Sequence, residues 1–185
     1  MMIFNSCINN NMFRVDTLKA DKICFKQIYR FKKVDDFLYR GALPKKGDIK
    51  ELKDMGIDTV IDFTVGGNHK IRDSFEQKSV ERLGMNYIRL PFPAYKNPPD
   101  EYVDTFFKTM DDARKNNKKV YIHCQEGKDR TGLFSAMYKI KYNNSDFAGC
   151  IQEMVEMGHD YFCFPNLIRY LKDFYDNLQG NLSNR

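Results

Sequence analysis

The chain has 185 residues, 42% hydrophobic and 30% charged, which is the balance of one globular domain and excludes a disordered chain. No run approaches the roughly 18 apolar residues of a membrane-spanning helix. The net charge of +5 suits anionic ligands but is too small and too evenly spread to argue for nucleic acid, and no nucleic-acid partner is expected.

Residues 1–30 read as an N-terminal extension holding a strand or short helix, and residues 31–180 as the domain proper. Phe37-Leu38-Tyr39 predicts a short strand ended by Gly41 and Pro44. Ile49, Leu52 and Met55 fall at helical spacing within Asp48–Met55, and Gly56 ends that helix. Thr59 to Phe63 is a β-branched run, a buried strand, followed by a loop at Gly66-Gly67. A helix over Ser74–Leu83 stops at Gly84, and a strand over Tyr87–Leu90 stops at Pro91 and Pro93. Pro98-Pro99-Asp100 starts a helix whose stripe is Tyr102, Val103, Phe106, Phe107, Met110 and Ala113. Lys119 to Ile122 is the fourth strand. A loop to Arg130 then opens a helix carrying Leu133, Phe134, Ala136, Met137 and Ile140. Two helices close the chain, over Asp146–Met157 and about Asn166–Leu178. The alternation predicts an α/β fold with a central, mostly parallel sheet of four to five strands flanked by helices. Such sheets bind ligands beyond the carboxyl ends of their strands, which selects the loops at 64–70 and 124–130.

The second of these loops carries chemistry. A buried strand ends at His123-Cys124, then come Gln125, Glu126, Gly127, Lys128 and Asp129, then Arg130-Thr131-Gly132 at a helix start. A loop this short turns its backbone N–H groups inward as a nest for an anion, and the helix adds its positive end. Gly127 allows the tight turn, and the Arg130 fork can bind two phosphate oxygens. A free thiol of pKa near 8.5 is only about 3% thiolate at pH 7. The same positive field raises that share at Cys124. Thr131 can donate its hydroxyl to the sulfur, and His123 can brace the loop from below.

The segment resembles the His-Cys-x5-Arg-Thr-Gly signature of the cysteine-based protein tyrosine and dual-specificity phosphatases. Val34 to Pro44, Leu52 to Phe63 and Ile151 to Leu171 look like the opening, an inner strand unit and the closing helices of a compact microbial dual-specificity-like group. The likeness covers about residues 31–175. It implies a dual-specificity-phosphatase-like fold and a two-step reaction. Cys124 attacks phosphorus, while Arg130 and the backbone of residues 125–130 hold the phosphate oxygens. Water then hydrolyses a phosphocysteine. It also implies an Asp as general acid on the loop after Tyr87–Leu90. Here the stretch from Pro91 to Pro99 holds no acid, and Asp100 is the first. Asp129 is the rival, because Lys128-Asp129-Arg130 looks like the loop of phosphoinositide-active and bacterial lipid-active phosphatases, where the loop Asp is a proposed acid. Both stay open, as does a structural role for each: a helix start for Asp100, an ion pair with Arg130 for Asp129. In related enzymes the position of Lys128 faces the substrate.

His69, Lys70 and Arg72 are candidates for the same mouth, Asp62 reads as structural, and Glu126 as an exposed rim residue. Five Cys, at 7, 24, 124, 150 and 163, form no CxxC, and there are three His. Neither a disulfide framework nor a metal centre fits, so no cofactor is expected, and Cys150 and Cys163 read as packing residues. Met1 to Phe13 lacks a basic leader, so a cytoplasmic monomer is expected. The substrate would be a phosphorylated protein (phosphotyrosine, with phosphoserine or phosphothreonine) or a phosphoinositide or inositol phosphate. Two alternatives are a catalytically weak phosphate-binding module and a sulfur-transfer enzyme.

Overall fold

A computed structural model describes residues 28–66 and 70–183. The expected extension up to residue 27, with Cys7 and Cys24, and His69 lie outside the described residues. Packing has already begun at Ile28, which is buried.

In chain order the elements are β1 (Lys32–Lys33), β2 (Leu38–Ala42), α1 (Lys46–Asp54), β3 (Ile57–Asp62), α2 (Lys70–Arg82), β4 (Asn86–Arg89), α3 (Asp100–Lys115), β5 (Lys119–Cys124), α4 (Asp129–Asn143), α5 (Phe147–Glu156) and α6 (Pro165–Ser183). The strands form one sheet in the order β1-β2-β5-β3-β4. Only the β1–β2 pairing is antiparallel. This is the expected α/β architecture, flanked by six helices among the described residues.

Alternation along the strands divides the core in two. Leu38, Ile61, Val120, Ile122 and Cys124 face one side, where α3, α4, α5 and α6 pack. Tyr39, Val60 and Tyr121 face the other, with Ile49 and Leu52 of α1 and Val80 of α2. The many Phe residues do the work that Trp does elsewhere. Phe63 stacks on Phe134 at 4.3 Å, and Phe106 meets Phe134 edge-on at 5.0 Å. Helix α4 lies between the sheet and α5 and α6, so it is buried almost all round, beyond the stripe expected of it.

Three local expectations change. Gly41 does not end β2 but lies inside it, because a Cβ there would come within 2.5 Å of the Tyr121 hydroxyl. The strand β1 has no apolar signal, since both its lysines are exposed. Helix α2 starts at Lys70, ahead of Ser74, and so takes in Lys70 and Arg72.

Candidate active site

The central strand β5 stops at Cys124 and α4 starts at Asp129, so residues 125–128 must turn the chain in one loop. Gly127 makes this possible with φ +73°. A Cβ on it would sit 2.5 Å from the Gly41 carbonyl oxygen and 2.6 Å from the Ala42 nitrogen. Both neighbours are backbone and cannot step aside. Gly127→Ala is therefore expected to cost about 1–2 kcal/mol for the left-handed conformation and more for the clash. The measurable result is a fall in melting temperature of roughly 5–10 °C, with loss of phosphate binding. A melt within a degree or two of the wild type would refute it.

The loop is tied to its surroundings at several points. Arg40, fully buried in β2, donates Nη2 to the Gly127 carbonyl at 2.9 Å, and Glu153 Oε1 lies 3.6 Å from its Nη1. Arg30 donates to the Glu126 carbonyl at 3.3 Å, and Leu43 N to the Gln125 carbonyl at 3.3 Å. These bonds occupy the loop carbonyls from outside.

Cys124 is 2% exposed. Burial opposes the thiolate, but the Arg130 charge, then the hydroxyl and backbone of Thr131 and the backbone of Gly127, outweigh it and hold the thiol below its ordinary value. Arg130 is pinned by Nη1, which donates to the carbonyls of Phe63 at 2.9 Å and Phe92 at 3.3 Å. These carbonyls follow β3 and β4, so three strand ends converge on one guanidinium.

Because β5 alternates, His123 points to the opposite face from Cys124. It is fully buried, with Nε2 2.8 Å from Glu76 Oε1 of α2 and Nδ1 3.8 Å from Asp62 Oδ1. Burial works against its charge, but Glu76 and then Asp62 prevail and raise its pKa to about 9. His123 thus anchors the strand beneath the loop through an ion pair. Asp62 accepts from Thr64 N at 2.6 Å, Thr64 Oγ1 at 2.9 Å and the Tyr87 hydroxyl at 2.9 Å, as a structural residue does.

A cavity of about 400 Å³ opens over the loop, and its walls include Cys124, Gln125, Glu126, Lys128, Asp129 and Arg130. A larger groove of about 580 Å³, lined by Thr59, Tyr87 and Lys108 among others, holds none of the loop residues. Glu126 stands exposed at the rim of the loop cavity, with Oε2 3.4 Å from Lys128 Nζ.

Asp129 is buried, and its Oδ1 accepts from His159 Nδ1 at 2.9 Å and Asp160 N at 3.0 Å. Burial would raise its carboxyl, but these two donors hold it below the usual range. Its side-chain partner is thus His159, where Arg130 was expected. Asp100 is exposed in the first turn of α3, and its charge acts on Tyr170; the cavity wall does not include it. Cys150 is buried as expected, and burial first pushes its thiol up to about 11. Cys163 is not a packing residue: it is exposed and lies in the cavity wall with Asp160 and Phe164. Sequence reasoning missed Arg40, Glu76, His159 and Asp160. Arg40 alone left a signal, a charge inside an otherwise apolar strand.

A mostly parallel sheet whose central strand ends in a buried Cys, followed by a tight loop and an Arg at the next helix start, defines the cysteine-based phosphatase class. Within it, the PTP-like phytase model, described by inositol hexakisphosphate, matches residues 37–141, and the chain belongs to this family. It is 28% identical over 121 residues to the dual specificity protein phosphatase TpbA of Pseudomonas aeruginosa strain UCBPP-PA14, covering 65% of this chain and 51% of that one. The chain thus spans about half the length of the TpbA proteins it matches. It is 23% identical over 173 residues to the phosphatidylglycerophosphate phosphatase PTPMT2 of Arabidopsis thaliana, covering 90% and 73% of the two chains. The fold matches the crystal structure of P. aeruginosa TpbA in complex with pTyr, with a TM-score of 0.65 at 23% identity over 84% and 91% of the chains. It also matches PTPMT1, with a TM-score of 0.68 at 20% identity over 84% and 99%. No helix among the described residues is long and apolar enough to cross a membrane.

Proposed function

We propose that this chain is a phosphatase that hydrolyses phosphomonoesters through a phosphocysteine intermediate, with phosphotyrosine-type substrates first. The observation that carries the reading is Cys124 at the base of the loop cavity, its thiol lowered chiefly by an Arg130 whose direction is fixed by two carbonyls. The thiolate attacks phosphorus in line, a sulfur–phosphorus bond forms as the ester bond breaks, and Arg130 with the loop N–H groups holds the three other oxygens. Water then cleaves the intermediate. The transition state is loose, so positioning and charge supply most of the acceleration.

Lys128 in the cavity wall favours a second substrate class, a phosphoinositide or inositol phosphate, and the family's description points the same way. An ammonium there attracts a second phosphate in competition with Glu126, 3.4 Å from it. A panel of phosphotyrosine and phosphoserine peptides, phosphoinositides and inositol hexakisphosphate ranks these classes by kcat/KM.

None of these steps draws on a metal. Hydrolysis of p-nitrophenyl phosphate is therefore expected to persist in EDTA and to stop with vanadate or a thiol alkylator. A strict need for an added divalent ion would refute the mechanism. Vanadate-resistant sulfur transfer would favour the rhodanese-like alternative, and vanadate binding without turnover the binding-module alternative.

A further inference from the structure

A departing alkoxide or phenoxide needs a proton, and neither carboxylate expected to deliver it stands ready. Asp100 lies outside the cavity wall. Asp129 is in the wall, but it is buried, with Oδ1 shared between His159 and the backbone of residue 160, and so is cut off from the water that must reprotonate it. Glu126 sits at the rim against Lys128 and Arg30.

The connector between α5 and α6 brings a further carboxylate to the same cavity. Past the end of α5, Gly158 turns with φ +91° beneath the Arg30 guanidinium, where a Cβ would come within 2.8 Å of Nη2. The next two residues are both fastened to the phosphate loop. His159 is buried with Nδ1 on the Asp129 carboxylate, and Asp160 N donates to the same oxygen. Asp160 is therefore held at its backbone, and it is one of the residues that line the cavity with Cys124 and Arg130. Its Oδ1 accepts from Cys163 N at 2.9 Å and its carbonyl from Phe164 N at 2.9 Å, which fixes the turn into α6. Unlike Asp129 it is only partly buried, so it can regain a proton from water.

On the phosphatase reading above, we propose that Asp160 is the catalytic residue that protonates the leaving oxygen, with Asp129 and His159 as the positioning residues that present it. The proton passes from the Asp160 carboxyl to the ester oxygen as the phosphorus–oxygen bond breaks and the sulfur–phosphorus bond forms. The resulting carboxylate then takes a proton from the water that attacks the phosphocysteine. This returns the acid, the thiolate and inorganic phosphate. Hydrogen bonds from Cys163, first its backbone and then its side chain, hold the Asp160 carboxyl below the ordinary range before substrate arrives. The negative charges of a bound phosphate push it the other way, toward the protonated form that the step requires.

The experiment compares the full-length wild type, Asp160→Asn and Asp160→Ser on two esters. One is p-nitrophenyl phosphate, whose leaving group needs little protonation, and the other is phenyl phosphate, whose leaving group needs it fully. Asn and Ser both keep an acceptor for the Cys163 N–H, so the turn survives. Expected is a fall in kcat of roughly 10²–10³ on phenyl phosphate and under about tenfold on p-nitrophenyl phosphate. His159→Asn should shift the ratio of the two rates in the same direction. Equal small losses on both esters in the Asp160 variants would overturn the proposal and leave the phosphatase reading standing. A wild type with no Cys124-dependent turnover of either ester would overturn both. A His159 variant that only lowers the melting temperature would remove it from the positioning role.

Discussion

Cys124→Ser is expected to lower turnover by roughly 10³-fold or more on every substrate, while phosphate and vanadate still bind. Among the described residues Cys124 is the one thiol held low by its surroundings: burial pushes Cys150 up, and hydrogen bonding to Asp160 first raises Cys163. A serine hydroxyl stays protonated in the same field. The cradle survives because its parts do not depend on sulfur: the left-handed Gly127, the Arg40 bond to the loop and the Arg130 anchors. Turnover above a few per cent of the wild type would count decisively against the phosphocysteine route. The low thiol gives an independent check. Alkylation by iodoacetamide should stay fast at Cys124 as pH falls below the ordinary thiol range near 8.5, where Cys150 and Cys163 no longer react. Alkylation that follows an ordinary cysteine titration would contradict the charge balance at the site.

Arg130→Lys is expected to reduce kcat/KM by roughly 10²–10⁴, about 3–5 kcal/mol of transition-state stabilisation. The guanidinium does two things at once. One nitrogen is spent on the carbonyls of Phe63 and Phe92, which aims the rest of the plane at the cavity. Its charge also leads the groups that lower the Cys124 thiol. An ammonium is a single point charge, so it can satisfy the carbonyls or the phosphate but cannot bridge them with fixed geometry. The variant should therefore lose alkylation rate at neutral pH as well as turnover. A loss of under about tenfold, with unchanged alkylation, would mean that the loop N–H groups and helix end carry the phosphate without the fork.

The phosphate loop was legible because its determinants are consecutive. A β-run, a Cys, a tight glycine turn and an Arg at a helix start impose their geometry within a dozen residues, and the anion nest follows from backbone direction alone. A role for His123 in bracing the loop was legible too, and the structure puts that brace on the face of β5 opposite Cys124. The helix positions were readable wherever an apolar stripe met a glycine or proline boundary, as in α3 with Phe106, Phe107 and Met110. The signal failed at β1, whose two exposed lysines carry no apolar pattern, and at Gly41, where a packing need looks like a turn signal.

The chemistry around the loop was decided elsewhere in the chain. Glu76 reaches His123 across the far face of the sheet, Arg40 reaches Gly127 from β2, and the α5–α6 connector delivers His159 and Asp160 about thirty residues after the loop. None of these partnerships has a period or a spacing, because each is a charge or donor meeting a carbonyl or carboxylate that folding leaves without water. The sequence by itself determined the sheet and the position of the loop that holds the proposed nucleophile Cys124 and the proposed phosphate fork Arg130, since local backbone geometry and alternation suffice for them. Only the tertiary structure decided that Asp129 is buried against His159, that Asp100 stays outside the cavity and that Asp160 joins its wall. Which carboxylate meets which donor depends on how distant segments pack, and a buried oxygen takes whichever N–H the fold brings within reach.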